Sequence, residues 1–393
     1  MNYSAEELIR YIEEEDVKFI RLAFRDAFGV QKNISVMPGE MGKAFDGGIP
    51  IHAREIAGFE DSPHAWLYLR PDPQTGAVLP WRPDNGRVLR LFCDVYTQDG
   101  EEYIPDTRNI LKRAVQLAAQ KGIEFRFGNE TEFYLFRKDD DGSTTQIPYD
   151  EAGYLDIAPL DRCENVRREI CLTIEQMGLT PERSYHERGP GQNEIDFHYA
   201  RPIKAADQMT TFRMAVCTIA DRNGLTADFS PLPLPGKPGN GYHINIYVVD
   251  SNGDDVARYA AAGIMEVIRE ITLFLNPSNA SYARLGSSSA PDRVDWSSAG
   301  GSELLHMGSY TGKPSVELRS PDAGCNPYLV YALLIHAGLS GIERRLSLPQ
   351  ETLGSALYLP TSRKEAVKLA CRSTFVREIV PEGILKAYAG EGK

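Results

Sequence analysis

The apolar positions change period several times along the chain, and each change marks an element. Leu8, Ile9 and Ile12 recur at helical spacing behind Ser4-x-x-Glu7, a capping-box pattern that starts a short amphipathic helix. From Val17 to Phe24 the alternation is that of a strand. Asp26-Ala27-Phe28-Gly29 makes a turn, and Val30 to Val36 reads as a second strand. The stretch from Arg70 to Asn85 is rich in Pro, Asp and Gly and reads as loop, whereas Val88 to Tyr96 returns to strand. These short elements predict a small, sheet-rich N-terminal unit over residues 1–103.

Past Pro105 the periods lengthen. Ile110, Leu111, Ala114, Val115 and Ala118 predict a helix over Thr107 to Lys121, closed by Gly122, and a strand follows from Ile123 to Phe136. Helices are predicted near 162–177, 203–222 and 255–274, the first two stopped by Gly178 and Gly224. Strands are predicted near 179–187, 192–199, 225–230, 242–249 and 315–319, with a Ser/Gly-rich segment over 276–313 and a helix that Asn326-Pro327 would start. Helix–strand–strand blocks of this kind favour an α+β fold over a doubly wound sheet, in a second unit spanning 104–393.

Composition narrows the partners. The 393 residues are 42% hydrophobic and 25% charged, as in soluble globular proteins, and the charge balance of 43 − 55 = −12 argues against binding nucleic acid. No run of about 18 apolar residues exists to span a membrane, and the acidic start, MNYSAEELIRYIEEED, lacks the order of a signal peptide. Six cysteines without a C-x-x-C predict reduced thiols in a cytoplasmic protein, with no disulfide scaffold and no zinc knuckle.

The carboxylates need a cause. Glu130 and Glu132 alternate on one face of their strand, about 7 Å apart at Cα, while Phe127, Thr131, Phe133 and Leu135 take the other face. Such a pair inside a protein is costly unless it is protonated or bound to cations. On this strand alone it reads equally well as a solvated face. The pattern then recurs with Glu187 and Glu194 around Gly189-Pro190-Gly191, with His243 after a glycine-rich run, and with Glu317 beside Arg319. Five glutamates and one histidine on strands suit Mg²⁺ or Mn²⁺ better than zinc or copper.

Several motifs resemble those of the glutamine synthetase family. Gly128-Asn129-Glu130-Thr131-Glu132-Phe133-Tyr134-Leu135-Phe136 is similar to its G-x-E-x-E-F-x-L-F motif. Arg70-Pro71-Asp72-Pro73, Cys93-Asp94-Val95-Tyr96, His186-Glu187, Gly191 to Ile195, Gly241-Tyr242-His243, Ser281 to Leu285 and Val316 to Asp322 resemble further motifs in the same order. The resemblance implies an N-terminal β-grasp-like domain and a larger antiparallel-sheet catalytic domain. It implies that Glu132, Glu187 and Glu194 hold one divalent ion and Glu130, His243 and Glu317 the other. Arg284 and Arg319 would bind the carboxylates of glutamate, a task that suits a planar guanidinium. Gly239 would line the amino-acid pocket and Asn245 the nucleotide side. Asp46 would bind and deprotonate ammonium across a subunit interface, which makes Asp46 and Arg284 the catalytic candidates. The implied reaction joins an amine to the γ-carboxylate of glutamate, with ATP as co-substrate, in a homo-oligomer built of hexameric rings.

The sequence also departs from the family pattern. The glutamate before an A-P pair is missing, since Gly286-Ser287-Ser288-Ser289 precedes Ala290-Pro291. The arginines of the N-R-S-x-x-I-R run are absent from Trp296 to His306, Ser315 replaces another arginine, and Pro238 replaces an asparagine. Preorganised cations stabilise a transferred phosphoryl group, and losing one such contact typically costs roughly 3–4 kcal/mol. Three readings follow: an ATP-dependent carboxylate–amine ligase, a nucleotide-independent metalloenzyme, and a non-catalytic binding protein.

Overall fold

The computed structural model describes residues 3–287, 290–351 and 355–390. The N-terminal unit contains α1 (Ala5–Glu14), β1 (Val17–Arg25), β2 (Gln31–Val36), α2 (Met41–Asp46), β3 (Ile49–His52), β4 (Trp66–Pro71), β5 (Ala77–Val78) and β6 (Arg87–Tyr96). Ser4 Oγ accepts the Glu7 amide and Glu7 accepts the Ser4 amide, so the capping box forms as the sequence predicts. The sheet order is β2-β1-β6-β4-β3, with β5 on β6. β1 and β6 run parallel and the other pairs antiparallel. Leu8 and Ile12 of α1 are buried against Ile20, Leu22, Leu67, Leu69, Leu89 and Leu91. The predicted loop over 70–85 is corrected at two places: β4 runs into it, and Ala77–Val78 pairs with Leu89 and Arg90. A distant strand supplies those backbone partners, and local Pro and Gly content carries no trace of it.

The second unit contains α3 (Thr107–Gln120), β7 (Ile123–Lys138), β8 (Thr144–Pro148), α4 (Glu164–Gln176), β9 (Pro181–His186), β10 (Gln192–Ala200), α5 (Pro202–Arg222), β11 (Leu225–Asp228), β12 (Tyr242–Asp250), α6 (Ala257–Leu275), α7 (Asn279–Arg284), β13 (Trp296–Ser297), β14 (Leu305–Tyr310), β15 (Lys313–Leu318) and α8 (Pro327–Glu343). Three helices end the chain: α9 (Arg363–Arg372), α10 (Thr374–Ile379) and α11 (Glu382–Ala389). The sheet runs β13-β14-β15-β12-β7-β10-β9, with β8 and β11 on β7, and is antiparallel except between β13 and β14.

One face of this sheet is covered by α3, α5 and α8. Phe127 stacks on Tyr331 with centroids 4.1 Å apart, and Phe133 meets Phe212 edge-on at 6.0 Å. Burying each such ring stabilises the fold by about 1.5–3 kcal/mol. This apolar packing fixes the register and turns every second residue of β7 to the opposite face. The Ser/Gly-rich segment over 276–313 is more ordered than its composition predicts. Ser278 and Ser281 cap α7 reciprocally, and β14 returns through Thr311-Gly312 into β15, both turn residues having positive φ.

Candidate active site

The face away from the helices collects the acids. Glu132 of β7 faces Glu194 of β10, and Glu130 lies between Asp196 of β10 and His243 of β12. One strand further, Glu317 of β15 pairs with Asn245 of β12 and with His306 of β14. The structure thus assembles the six predicted acidic and imidazole groups in two sets. Potential ligand atoms of Glu130, His243 and Glu317 lie within 4.8 Å of one another, and so do those of Glu132, Glu187 and Glu194. His243 Nδ1 is 3.1 Å from Glu317 Oε1 and 3.4 Å from Glu130 Oε2. Burial alone would push the His243 pKa down, but the bonds to Glu130 and Glu317 outweigh it and raise it to about 10.

Asp196 joins this face although the sequence reading passed it over. Its carboxylate falls within 4.8 Å of Glu130 and Glu194. The E-I-D alternation after Asn193 was the available signal, since it puts Glu194 and Asp196 on one face. Burial pushes the Glu194 pKa well above the usual carboxylate range, and the charges of Glu132 and Asp196 push it further. Burial and Glu130 raise Asp196 in the same direction. A buried face with this surplus of negative charge, hard oxygens and one imidazole fits divalent cations of the Mg²⁺ or Mn²⁺ type.

The loop before β12 supplies the close contacts. Glu132 Oε2 accepts the Gly241 amide at 2.8 Å and the Gln192 amide nitrogen at 3.1 Å. The same Gln192 nitrogen reaches the Gly239 carbonyl at 3.2 Å. A Cβ on Gly241 would stand 3.0 Å from His243 Nε2 and 3.1 Å from Arg284 Nη2, so a side chain there would press on both of them. Arg284 is 1% exposed and donates to the Ser320 carbonyl at 2.9 Å. Arg319 Nε lies 3.2 Å from Glu317, and its Nη1 bonds the Gly301 carbonyl. Asn245 donates to Glu130 Oε1 at 2.9 Å. Asp46 joins neither set: it ends α2 in the N-terminal unit and is exposed.

A second buried network holds Glu187 in place. His186 Nε2 is 2.9 Å from Asp150 Oδ1, and His186 Nδ1 is 2.7 Å from the Glu187 carbonyl. Asp150 also accepts the amides of Arg162 and Gly191, and Gly191 turns the chain with φ +66. Asp161 is matched by Arg167. Most donors and acceptors of this group are paired with one another, Arg167 Nε excepted, so it supports the turn between β9 and β10.

The glutamine synthetase catalytic-domain family matches residues 105–389, and the glutamine synthetase beta-Grasp domain family matches residues 16–98. The chain belongs to the glutamine synthetase family. A glutamine synthetase of Clostridium saccharobutylicum is 40% identical over 363 residues, covering 89% of this chain and 82% of its own. One from Methanosarcina mazei is 36% identical over 411 residues, covering 98% and 92%. Among solved structures, GmaS in complex with ADP aligns with a TM-score of 0.88 at 26% identity, covering 99% of this chain and 94% of its own.

Within this glutamine synthetase fold, the stretch that lacks the expected arginines has been rebuilt. Glu303 is fully buried, and its Oε1 lies 3.0 Å from His306 Nδ1 and 4.0 Å from Arg319 Nη1. Arg293 donates to the Ser355 carbonyl and lies 4.4 Å over the Tyr358 ring, and Lys313 bonds the Gly253 carbonyl. Ser288 and Ser289, where the acidic flap residue is absent, lie outside the described residues.

Proposed function

We propose that the protein is a carbon–nitrogen ligase that joins an amine or ammonia to the γ-carboxylate of glutamate or an analogue, with ATP first converting that carboxylate to an acyl phosphate. The observation that carries this reading is the meeting of two carboxylate sets with Arg284 and Arg319 on one sheet face. Glu132, Glu187 and Glu194 would hold one Mg²⁺ or Mn²⁺, and Glu130, His243 and Glu317 the other. Cations held there would offset the negative charge of phosphate oxygens. Asn245 and Gln192 orient Glu130 and Glu132 by hydrogen bonds. Arg319 and Arg284 would take the carboxylates of the acid substrate, and the loop through Gly239 and Gly241 would shape its pocket. The similarity to the ADP complex of GmaS supports a nucleotide as co-substrate.

A second reading keeps the metal site and abandons the nucleotide. It is favoured by Glu303, whose buried carboxylate occupies the stretch where cations for phosphate are expected. Calorimetric titration of ATP into protein loaded with Mn²⁺ separates the two. Micromolar binding, followed by ADP release with some amine, supports the ligase. No heat from ATP, with metal verifiably bound, overturns the ATP step and leaves the nucleotide-free reading.

We also infer a homo-oligomer whose site is completed by a neighbour. Asp46 is exposed and joins neither set of acids, and Phe19, Ile34, Met37 and Trp66 leave apolar surface exposed on the N-terminal unit. A monomer by light scattering would overturn this.

A further inference from the structure

A cavity of about 680 Å³ lies on the helix side of the catalytic sheet, where the N-terminal unit meets α5 and the end of α4. Arg90 of β6, which is 3% exposed, forms part of its wall. Arg90 Nη2 donates to Thr211 Oγ1 at 3.1 Å, while Nε and Nη1 have no partner. The guanidinium lies 3.8 Å over the Phe92 ring, which offers it no acceptor. A buried guanidinium with two idle donors is expensive, and burial pulls its pKa down to about 10.

The nearby carboxylates are already engaged. Asp207 accepts from Arg108 through both oxygens and from the Tyr328 hydroxyl, and Asp72 pairs with Arg108. Arg90 therefore has neighbours of opposite charge, yet its Nε and Nη1 bond none of them. The rim adds positive potential. α5 starts at Pro202 with no side chain capping it, and Pro202, Ile203 and Lys204 line the cavity. The first amides of a helix of this length lack intrahelical partners and favour an anion. Arg201 and Lys204 are exposed at the same rim, and neither forms an ion pair among the described residues. Gln208 lines the cavity with its amide oxygen unpartnered, so its amide can turn to meet a ligand.

We propose that this cavity is a second ligand site, on the opposite side of the sheet from the acids, that takes a small molecule bearing a phosphate or carboxylate group. The oxyanion sits between Arg90 and the start of α5. Arg90 belongs to the N-terminal unit, whereas Lys204, Gln208 and Thr211 belong to the catalytic unit. A bound anion therefore bridges the two units and raises the resistance of the whole chain to unfolding.

The test is calorimetric titration and thermal unfolding of the metal-stripped full chain with inorganic phosphate and with citrate. One site per chain is expected. Binding should weaken by about tenfold or more in Lys204→Glu, where the exposed side chain and a helix start tolerate glutamate without loss of fold. Arg90→Gln should show the same loss, and Arg319→Gln, on the carboxylate face, should bind as the parent does. Phosphate binding alone identifies a phosphate-bearing ligand, and citrate binding alone a carboxylate-bearing one. No binding of either anion at ~10 mM overturns the proposal. So does binding that survives Lys204→Glu but vanishes in Arg319→Gln.

Discussion

Arg108 Nη1 lies 2.6 Å from Asp94 Oδ1, inside the contact between the two units. Arg108 stands in the first turn of α3 and Asp94 on β6. The same guanidinium also reaches Asp72 at 2.9 Å and Asp207 at 3.0 Å, and only 3% of the residue is exposed. One cation thus holds three carboxylates, from β6, from α5 and from the residue after β4. Replacing it strands buried negative charge, which typically costs about 3–5 kcal/mol. Arg108→Gln should lower the unfolding free energy by that order in urea titrations. A loss below about 1 kcal/mol would mean that water or Lys112 compensates the acids.

The same network sets the response to acid. Burial alone would raise the Asp94 pKa, but Arg108 and Lys112 outweigh it and hold it below the ordinary range. Its unfolded value is about 3.9, so its stabilising contribution is full above that pH and is lost as pH falls towards the folded value. The stability gap between the parent and Asp94→Asn should therefore narrow as the pH is lowered from about 5 to about 3. Asp106, which caps α3, has the opposite sign. Burial and the Asp94 charge push it up to about 7. Its contribution fades as pH rises from about 4 through 7, and Asp106→Asn should become relatively more stable at high pH. Gaps that stay constant with pH would refute both assignments.

Metal should bind in two portions. Mn²⁺ titration of the parent is expected to give two sites per chain, and Glu317→Gln should remove one while leaving that of Glu132, Glu187 and Glu194. Neutralising the buried acids should raise the unfolding temperature, and a chelator should reverse the rise. Unchanged stoichiometry in Glu317→Gln would break the assignment of ligands.

Gly241→Ala places a methyl group against His243 and Arg284. Overpacking of this kind costs about 1–3 kcal/mol. The larger effect should be on function, with Mn²⁺ affinity falling by about 10–100-fold through displacement of His243. Calorimetry and urea titration of the same preparation separate the two effects. Parental affinity would mean that the loop relaxes around the methyl group.

The sequence made some of this site legible and hid the rest. The alternation from Phe127 to Leu135 gave the strand, its buried face and the pair Glu130 and Glu132, because the period of a strand is local information. Cross-strand register is not local. Alternation places Asp196 on the face of Glu194, but only the register of β10 against β7 sets it opposite Glu130. Glu303 was passed over for a different reason: the segment was read for the arginines it lacks, and its pairing with His306 depends on how the chain before β14 folds back. The short strands β4 and β5 escaped because β6 creates them.

β7 contributes one carboxylate to each set, Glu130 to the first and Glu132 to the second, two residues apart on an internal strand held from both sides. The pleat of that strand works as a ruler of covalent origin. The distance between the two carboxylates is thereby insulated from the segments that surround the cleft. The segments around the cleft can therefore change shape without changing the spacing of the charges carried by β7.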